Sequence, residues 1–226
     1  MCFSAAVSFG ASAVLTGTGV VAIKKSKSPG MLPIASTPIL FGIQQFSEGM
    51  LWLSFKNPEW VSLQKPSIFV FLFIAQVAWP AWAPLATWWV EPDKAKKKIL
   101  SWFAWLGVAT SAFLFYSLLI SDVSAIVESR HIRYFLNFPL MDLRRVLYFL
   151  TTVVPIFISS LKFMKWFGAT MLGSLILAFI IYTHYVVSVW CFFAAVLSIL
   201  VLLIIVKNND IYVESPRHDP AEEAPI

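Results

Sequence analysis

The 226-residue chain is 59% apolar and only 13% charged, carries 10 Trp, 20 Phe and 6 Tyr, and has a formal net charge of +5. Its mean hydropathy is +0.77. Soluble domains average about 45–50% apolar and about 25% charged residues, so this composition excludes a water-soluble enzyme, a disordered chain, a disulfide-rich secreted module and a nucleic-acid binder, and predicts a lipid bilayer as the solvent.

A membrane-spanning helix needs roughly 20 mainly apolar residues. Uncharged apolar runs predict seven of them, near residues 2–23, 31–55, 67–90, 99–121, 143–161, 166–186 and 187–206. The expected fold is therefore all-α, an integral membrane bundle of seven transmembrane helices filling residues 1–207. The last two runs, which meet around Tyr185, read as a helical hairpin, because one helix of about 40 residues is too long for any bilayer. The positive flank of the first run follows it, the reverse of a secretory signal peptide, so the first span is expected to be retained. Within it, Ala6, Gly10, Ala13 and Gly17 form a ridge of small residues expected to admit a neighbouring helix. Pro33, Pro38, Pro80, Pro84 and Pro155 predict kinks in the second, third and fifth spans. Residues 208–226 hold five acids and one Arg. They read as a disordered acidic tail.

Lys and Arg in short loops set the orientation. Lys24, Lys25, Lys27, the four lysines between 94 and 98, Lys162, Lys165, Lys207 and Arg217 give 11 charges on one side. The other side collects 6, namely Lys56, Lys65, Arg130, Arg133, Arg144 and Arg145. The richer side is expected to be cytoplasmic, which puts the N-terminus outside, the C-terminus inside and the protein in the cell inner (plasma) membrane. The basic loops imply membrane lipids as partners through their anionic headgroups.

An ionisable residue inside a bilayer is costly and usually faces the bundle interior. Glu48 is the single formal charge well within a predicted span. Gln44, Gln45 and Glu48 recur at three- and four-residue spacing, with Trp52 one turn further, so they share a helix face too polar for lipid. Glu48 lies roughly 10 Å below the outer surface, about seven residues from the end of its span at about 1.5 Å rise per residue. Gln76 falls at comparable depth in the third span. Trp79 sits too deep for interfacial anchoring and is expected either to line a cavity with Gln76 or to pack between helices. Arg144, Arg145 and His184 lie near outer ends, so the polar residues converge on the outer half.

Four of the five arginines (Arg130, Arg133, Arg144, Arg145) fall in one outer loop, whereas the inner loops use Lys. Arg presents a planar fork suited to carboxylate or phosphate. One of Arg144 or Arg145 is thus expected to pair with Glu48, or the loop to cap an anionic ligand; the plainer alternative is snorkelling to headgroups. Cys2 and Cys191 both lie on the outer, oxidising side, where a disulfide and two buried thiols are both open. No HExxH, GxSxG or CxxC motif occurs, a three-His zinc site is not available because His218 falls in the inner tail, although His131, His184, Glu48 and a Cys could supply ligands, and the final span lacks a Lys for a retinal Schiff base. No metal site and no cofactor is assigned.

The opening pentapeptide Met1-Cys2-Phe3-Ser4-Ala5, the stretch from Pro38 to Gly49 with Gln44-Gln45, Glu48 and Trp52, the pairs Trp79-Pro80 and Glu91-Pro92, and the stretch from Ser188 to Ala195 around Trp190-Cys191 resemble an uncharacterised bacterial family of multi-span membrane proteins, domain-of-unknown-function family 6629. The resemblance runs to about Val206 and implies a seven-helix membrane protein without bringing an activity, ligand or catalytic residue. Three functions follow from the residues. The first is a binder or transporter of a small solute or ion around Glu48. The second is a seven-helix receptor or sensor. The third is a membrane-embedded lipid-acting enzyme with Glu48 as base and His184 at the headgroup, a reading disfavoured by the missing nucleophile and metal set.

Overall fold

The computed structural model describes residues 4–128, 131–136, 140–181 and 193–213. Ser4 opens α1 (Ala5–Lys25), its hydroxyl accepting from the Val7 N–H, and Lys24 and Lys25 close the helix against its negative end. A 3-10 turn (Pro29–Met31) and the short α2 (Leu32–Ala35) lead into α3 (Thr37–Lys56). A second 3-10 turn (Pro58–Leu63), α4 (Gln64–Leu72), a π-helical turn (Phe73–Ala78) and α5 (Trp79–Val90) follow without a break. Asp93 caps α6 (Lys94–Ile120) by accepting from Ala95 and Lys96. Strands β1 (Val123–Glu128) and β2 (His131–Leu136) pair antiparallel, with Val123 opposite Leu136 and Glu128 opposite His131. The chain continues through α7 (Met141–Thr152), α8 (Val154–Ile158), α9 (Met164–Ile181) and α10 (Ala194–Val213).

Three helical segments are long and apolar enough to cross a membrane: Ala5–Lys25, Pro58–Val90 and Lys94–Ile120. The distribution of polarity points the same way, because it is inverted relative to a soluble protein. Trp102 and Trp105 are each 73% exposed, and Ile180 equally so, while Ser8, Glu48, Ser117 and Thr151 are fully buried. Water would expel the first set and lipid the second.

The expected kinks are present, and each has its cause. Pro38 cannot donate to the Ile34 carbonyl one turn back, and the helix breaks at Ser36, whose hydroxyl donates to the Leu32 and Pro33 carbonyls. Pro155 likewise separates α7 from α8 at Val153. In the third segment the π turn precedes Pro80. Continuing its i+5 register, the Ala75 carbonyl would need the N–H of residue 80, which proline lacks; the Tyr148 hydroxyl donates to that carbonyl at 2.8 Å instead. Ser111 of α6 donates to the Val77 carbonyl at 2.6 Å. Pro84, one turn on, leaves the Pro80 carbonyl without a helix donor, and there α6 comes closest: a Cβ on Gly107 would stand 2.2 Å from that oxygen.

One end of the bundle is stitched by side chains that bond backbone across connections. Buried Glu91 accepts from the Ser160 N–H at 2.9 Å and from the Asp93 N–H at 3.2 Å. Lys96 Nζ donates to the Ser160 hydroxyl. Asn208 brackets Lys162, accepting from its N–H at 2.9 Å and donating to its carbonyl at 3.1 Å. Asn209 accepts from the Lys27 N–H and donates to the Lys25 carbonyl. The connections expected to share a side thus meet at one end. Among the described residues seven helical segments follow in chain order, α1, α2–α3, α4–α5, α6, α7–α8, α9 and α10.

Three expectations are corrected. The segment expected as the arginine-rich outer loop is not plain loop: its hairpin buries Ala125 and Ile132 in an apolar cluster with Leu51, Phe71 and Leu114, and Tyr134 stacks on Phe71 at 4.6 Å. The last helix runs to Val213, and Asn208 and Asn209, placed by sequence at the head of the tail, are buried because their amides replace missing backbone partners. Residues 214–226 lie outside the described residues. Third, the ridge of Ala6, Gly10, Ala13 and Gly17 faces outward, and nothing lies within 4 Å of a Cβ built on Gly10 or Gly17. The face of α1 that packs is Ala5, Ser8, Ser12, Leu15, Gly19 and Ala22.

This geometry separates two glycines. Gly107→Ala pushes a methyl into backbone that cannot move cheaply and should cost about 1–3 kcal/mol, whereas Gly10→Ala should leave stability within error. Thermal unfolding of the two variants in detergent measures the difference, and equal midpoints would contradict the packing described.

Candidate functional site

The polar face of α3 is buried because α1 comes unusually close. Gly42 meets Ser12 and Thr16: a Cβ there would lie 2.3 Å from Thr16 Oγ1, and the Ser12 hydroxyl donates to the Gly42 carbonyl at 2.8 Å. Two turns outward, a Cβ on Gly49 would touch the Phe9 ring at 2.7 Å. Small residues on facing helices allow this approach, and the interhelical hydrogen bond fixes it. Gln44, Gln45, Glu48 and Trp52 are consequently all inside the bundle, at 2%, 2%, 0% and 4% exposure. Gln45 Nε2 donates to Glu48 Oε2 at 3.4 Å.

Two further polar atoms belong to this level. Phe9 faces Gly49 and Ser12 faces Gly42, so Ser8 on the packed face of α1 stands level with the α3 turn carrying Glu48. Ser8 Oγ and Trp52 Nε1 are buried and make no hydrogen bond among the described residues. An unmatched buried donor costs about 1–3 kcal/mol.

The other predicted residues are distributed differently. Gln76 is half-buried in the π turn. Trp79 is buried and lines a cavity, as does Trp82, but the cavity is in the opposite half of the bundle. It measures about 60 Å³ and lies among Ile34, Thr37, Phe41, Ala86, Ile156, Met164, Phe167 and Ile204, and Glu48 is not in its wall. Arg145 is exposed and pairs with Asp142 at 3.2 Å. Arg133 pairs with Glu128 across the hairpin. Arg144 is buried, with Nη1 3.8 Å from Met141 Sδ. The fork of Arg145 is taken by the carboxylate on its own first turn, three residues back. His184, Cys2, Cys191 and Arg130 lie outside the described residues.

No group of three His, Cys, Asp or Glu side chains that could hold a metal occurs among the described residues. Sequence reasoning missed the buried carboxylate of Glu91 and the paired amides of Asn208 and Asn209. The signal for the first was present, since Glu91-Pro92 ends an apolar run; nothing in the sequence separates Asn208 and Asn209 from ordinary tail residues.

The fold and this face define a class: a helical protein of membrane type with a buried acid and two amides on one helix. The chain belongs to a family of unknown function, DUF6629, whose model matches residues 1–215. No curated protein and no solved structure matches it.

Proposed function

We propose that the protein is a seven-span protein of the plasma membrane, N-terminus outside, that binds a small cation or small polar solute at the face formed by Gln44, Gln45 and Glu48. The observation that carries the binding reading is the burial of a carboxylate and two amides beside Ser8 Oγ and Trp52 Nε1, which lack hydrogen-bond partners among the described residues. Oxygen-rich surroundings of this kind suit a hard cation or a compact hydrogen-bonding solute. Trp52 offers only a donor and so favours an occupant or bridging water that accepts.

The reading is of an occluded site. Outward, the hairpin and the cluster around Leu51, Phe71 and Ile132 cover it; inward, the bundle is apolar from the cavity to the cluster around Met31, Val90 and Ile205. Transport would require one of these clusters to part, which makes binding the first step to test. The tryptophans near the stitched end support a membrane interface there. Trp89, Trp102 and Trp166 are exposed beside lysines, and Lys97 Nζ sits 5.4 Å from the Trp88 ring, as in an interfacial belt on a Lys-rich side.

Thermal unfolding of the detergent-purified protein against Na⁺, K⁺, Mg²⁺ and small organic cations tests the site. A ligand at 100 times its Kd adds about 2.7 kcal/mol, so at least one should raise the midpoint of the native protein by several degrees and leave Glu48→Gln unmoved. A flat series, or the same rise in Glu48→Gln, rejects cation binding at this face. Orientation is checked with a membrane-impermeant thiol reagent on intact cells, in a background with Cys2 and Cys191 replaced by serine. Glu59→Cys should label and Lys98→Cys should not; the reverse pattern inverts the topology.

A further inference from the structure

The second internal space has chemistry opposite to the first. The cavity of about 60 Å³ lies between the α2–α3 junction, α5, α7–α8, α9 and α10, walled by indole, phenyl, thioether and aliphatic groups. Four hydroxyls stand in its wall, and all four are turned to other protein groups. Thr37 accepts from Trp82 Nε1 at 3.2 Å, Thr87 donates to the Ala83 carbonyl, Thr152 to the Tyr148 carbonyl and Tyr148 to the Ala75 carbonyl. The space therefore sees their carbon faces. A void without polar partners does not hold water well and does take apolar guests.

Most of the wall is buried, but Phe41, Trp82, Ala83 and Tyr148 keep part of their surface accessible. Two wall residues, Met164 and Met171, are unbranched and adapt to a guest of variable shape. The size is room for the last few carbons of a chain and not for a headgroup. In a bilayer the apolar groups at high concentration are lipid chains, and the outer surface of this bundle is apolar enough to be bathed in them. We infer that this cavity holds the terminal segment of one saturated lipid chain, inserted between the helices with its headgroup outside.

The test uses the full-length protein in nanodiscs carrying a phosphatidylethanolamine whose acyl chain ends in a diazirine, with a parallel arm containing the free diazirine fatty acid. After photolysis, peptide mapping should find adducts on Trp79, Phe167, Met164 or Met171. Adducts in the phospholipid arm identify a bilayer lipid as the source, and adducts confined to the other arm identify a free fatty acid. Ala86→Phe, which fills the space, should reduce these adducts at least five-fold while leaving those on outward-facing Trp102 and Ile180 unchanged. Ala83→Leu serves the same purpose if Ala86→Phe does not fold. Adducts on outward-facing residues alone in the native protein, or cavity adducts undiminished in a folded filling variant, overturn the inference.

Discussion

Lipid offers no hydrogen-bond partners, and the rest of this structure follows from where the chain puts the groups that need them. Glu48 and its two glutamines cannot face the bilayer, so α3 must turn them inward. That is possible only because Gly42 and Gly49 let α1 approach to within contact of Thr16 and Phe9. The close pair of helices is thus a device for burying a polar face rather than an apolar one. A fully buried carboxylate costs several kcal/mol unless its surroundings compensate, so a protein that sought only stability would have placed an apolar residue there.

The same constraint explains the backbone of the α4–α5 segment. Two prolines a turn apart remove two donors, and each orphaned carbonyl is covered by a different neighbour. The Tyr148 hydroxyl of α7 reaches the Ala75 oxygen, and the bare backbone at Gly107 of α6 closes over the Pro80 oxygen. Three helices are therefore locked together through the defects of one. At the stitched end, Glu91, Asn208 and Asn209 do the corresponding work for connections between helices, where backbone groups leave regular structure near the apolar interior. The polar face of α3 and the apolar cavity sit in opposite halves of this frame, so one molecule presents two internal environments of contrary chemistry.

Much of this was legible in the sequence. Apolar runs marked the helices, three of them long and apolar enough to cross a membrane, Pro38, Pro80 and Pro155 marked the interruptions beside them, and the spacing of Gln44, Gln45 and Glu48 identified a face that is buried. What escaped did so for physical reasons. Helix α1 carries small residues on two faces, and only the shape of α3 decides that Ser8, Ser12 and Gly19 pack while Gly10 and Gly17 remain outside. The hairpin left a signal in the alternation of Val123, Ala125 and Val127 and of Ile132, Tyr134 and Leu136, but its strands stand in an arginine-rich segment that reads as a loop by charge. Trp79 was expected either to line a cavity with Gln76 or to pack between helices. The cavity it lines is in the half away from Glu48, with Trp82, Met164 and Met171, a meeting of five helical segments that no local pattern encodes.

The central claim is that the buried face around Glu48 exists to hold something other than protein. A high-resolution cryo-EM map of the protein in nanodiscs prepared directly from the native membrane addresses it without knowledge of the ligand. The account predicts non-protein density within hydrogen-bonding distance of Glu48 and of Ser8 Oγ or Trp52 Nε1. A map in which these atoms are in contact only with one another and with neighbouring side chains, with no intervening density, would contradict it.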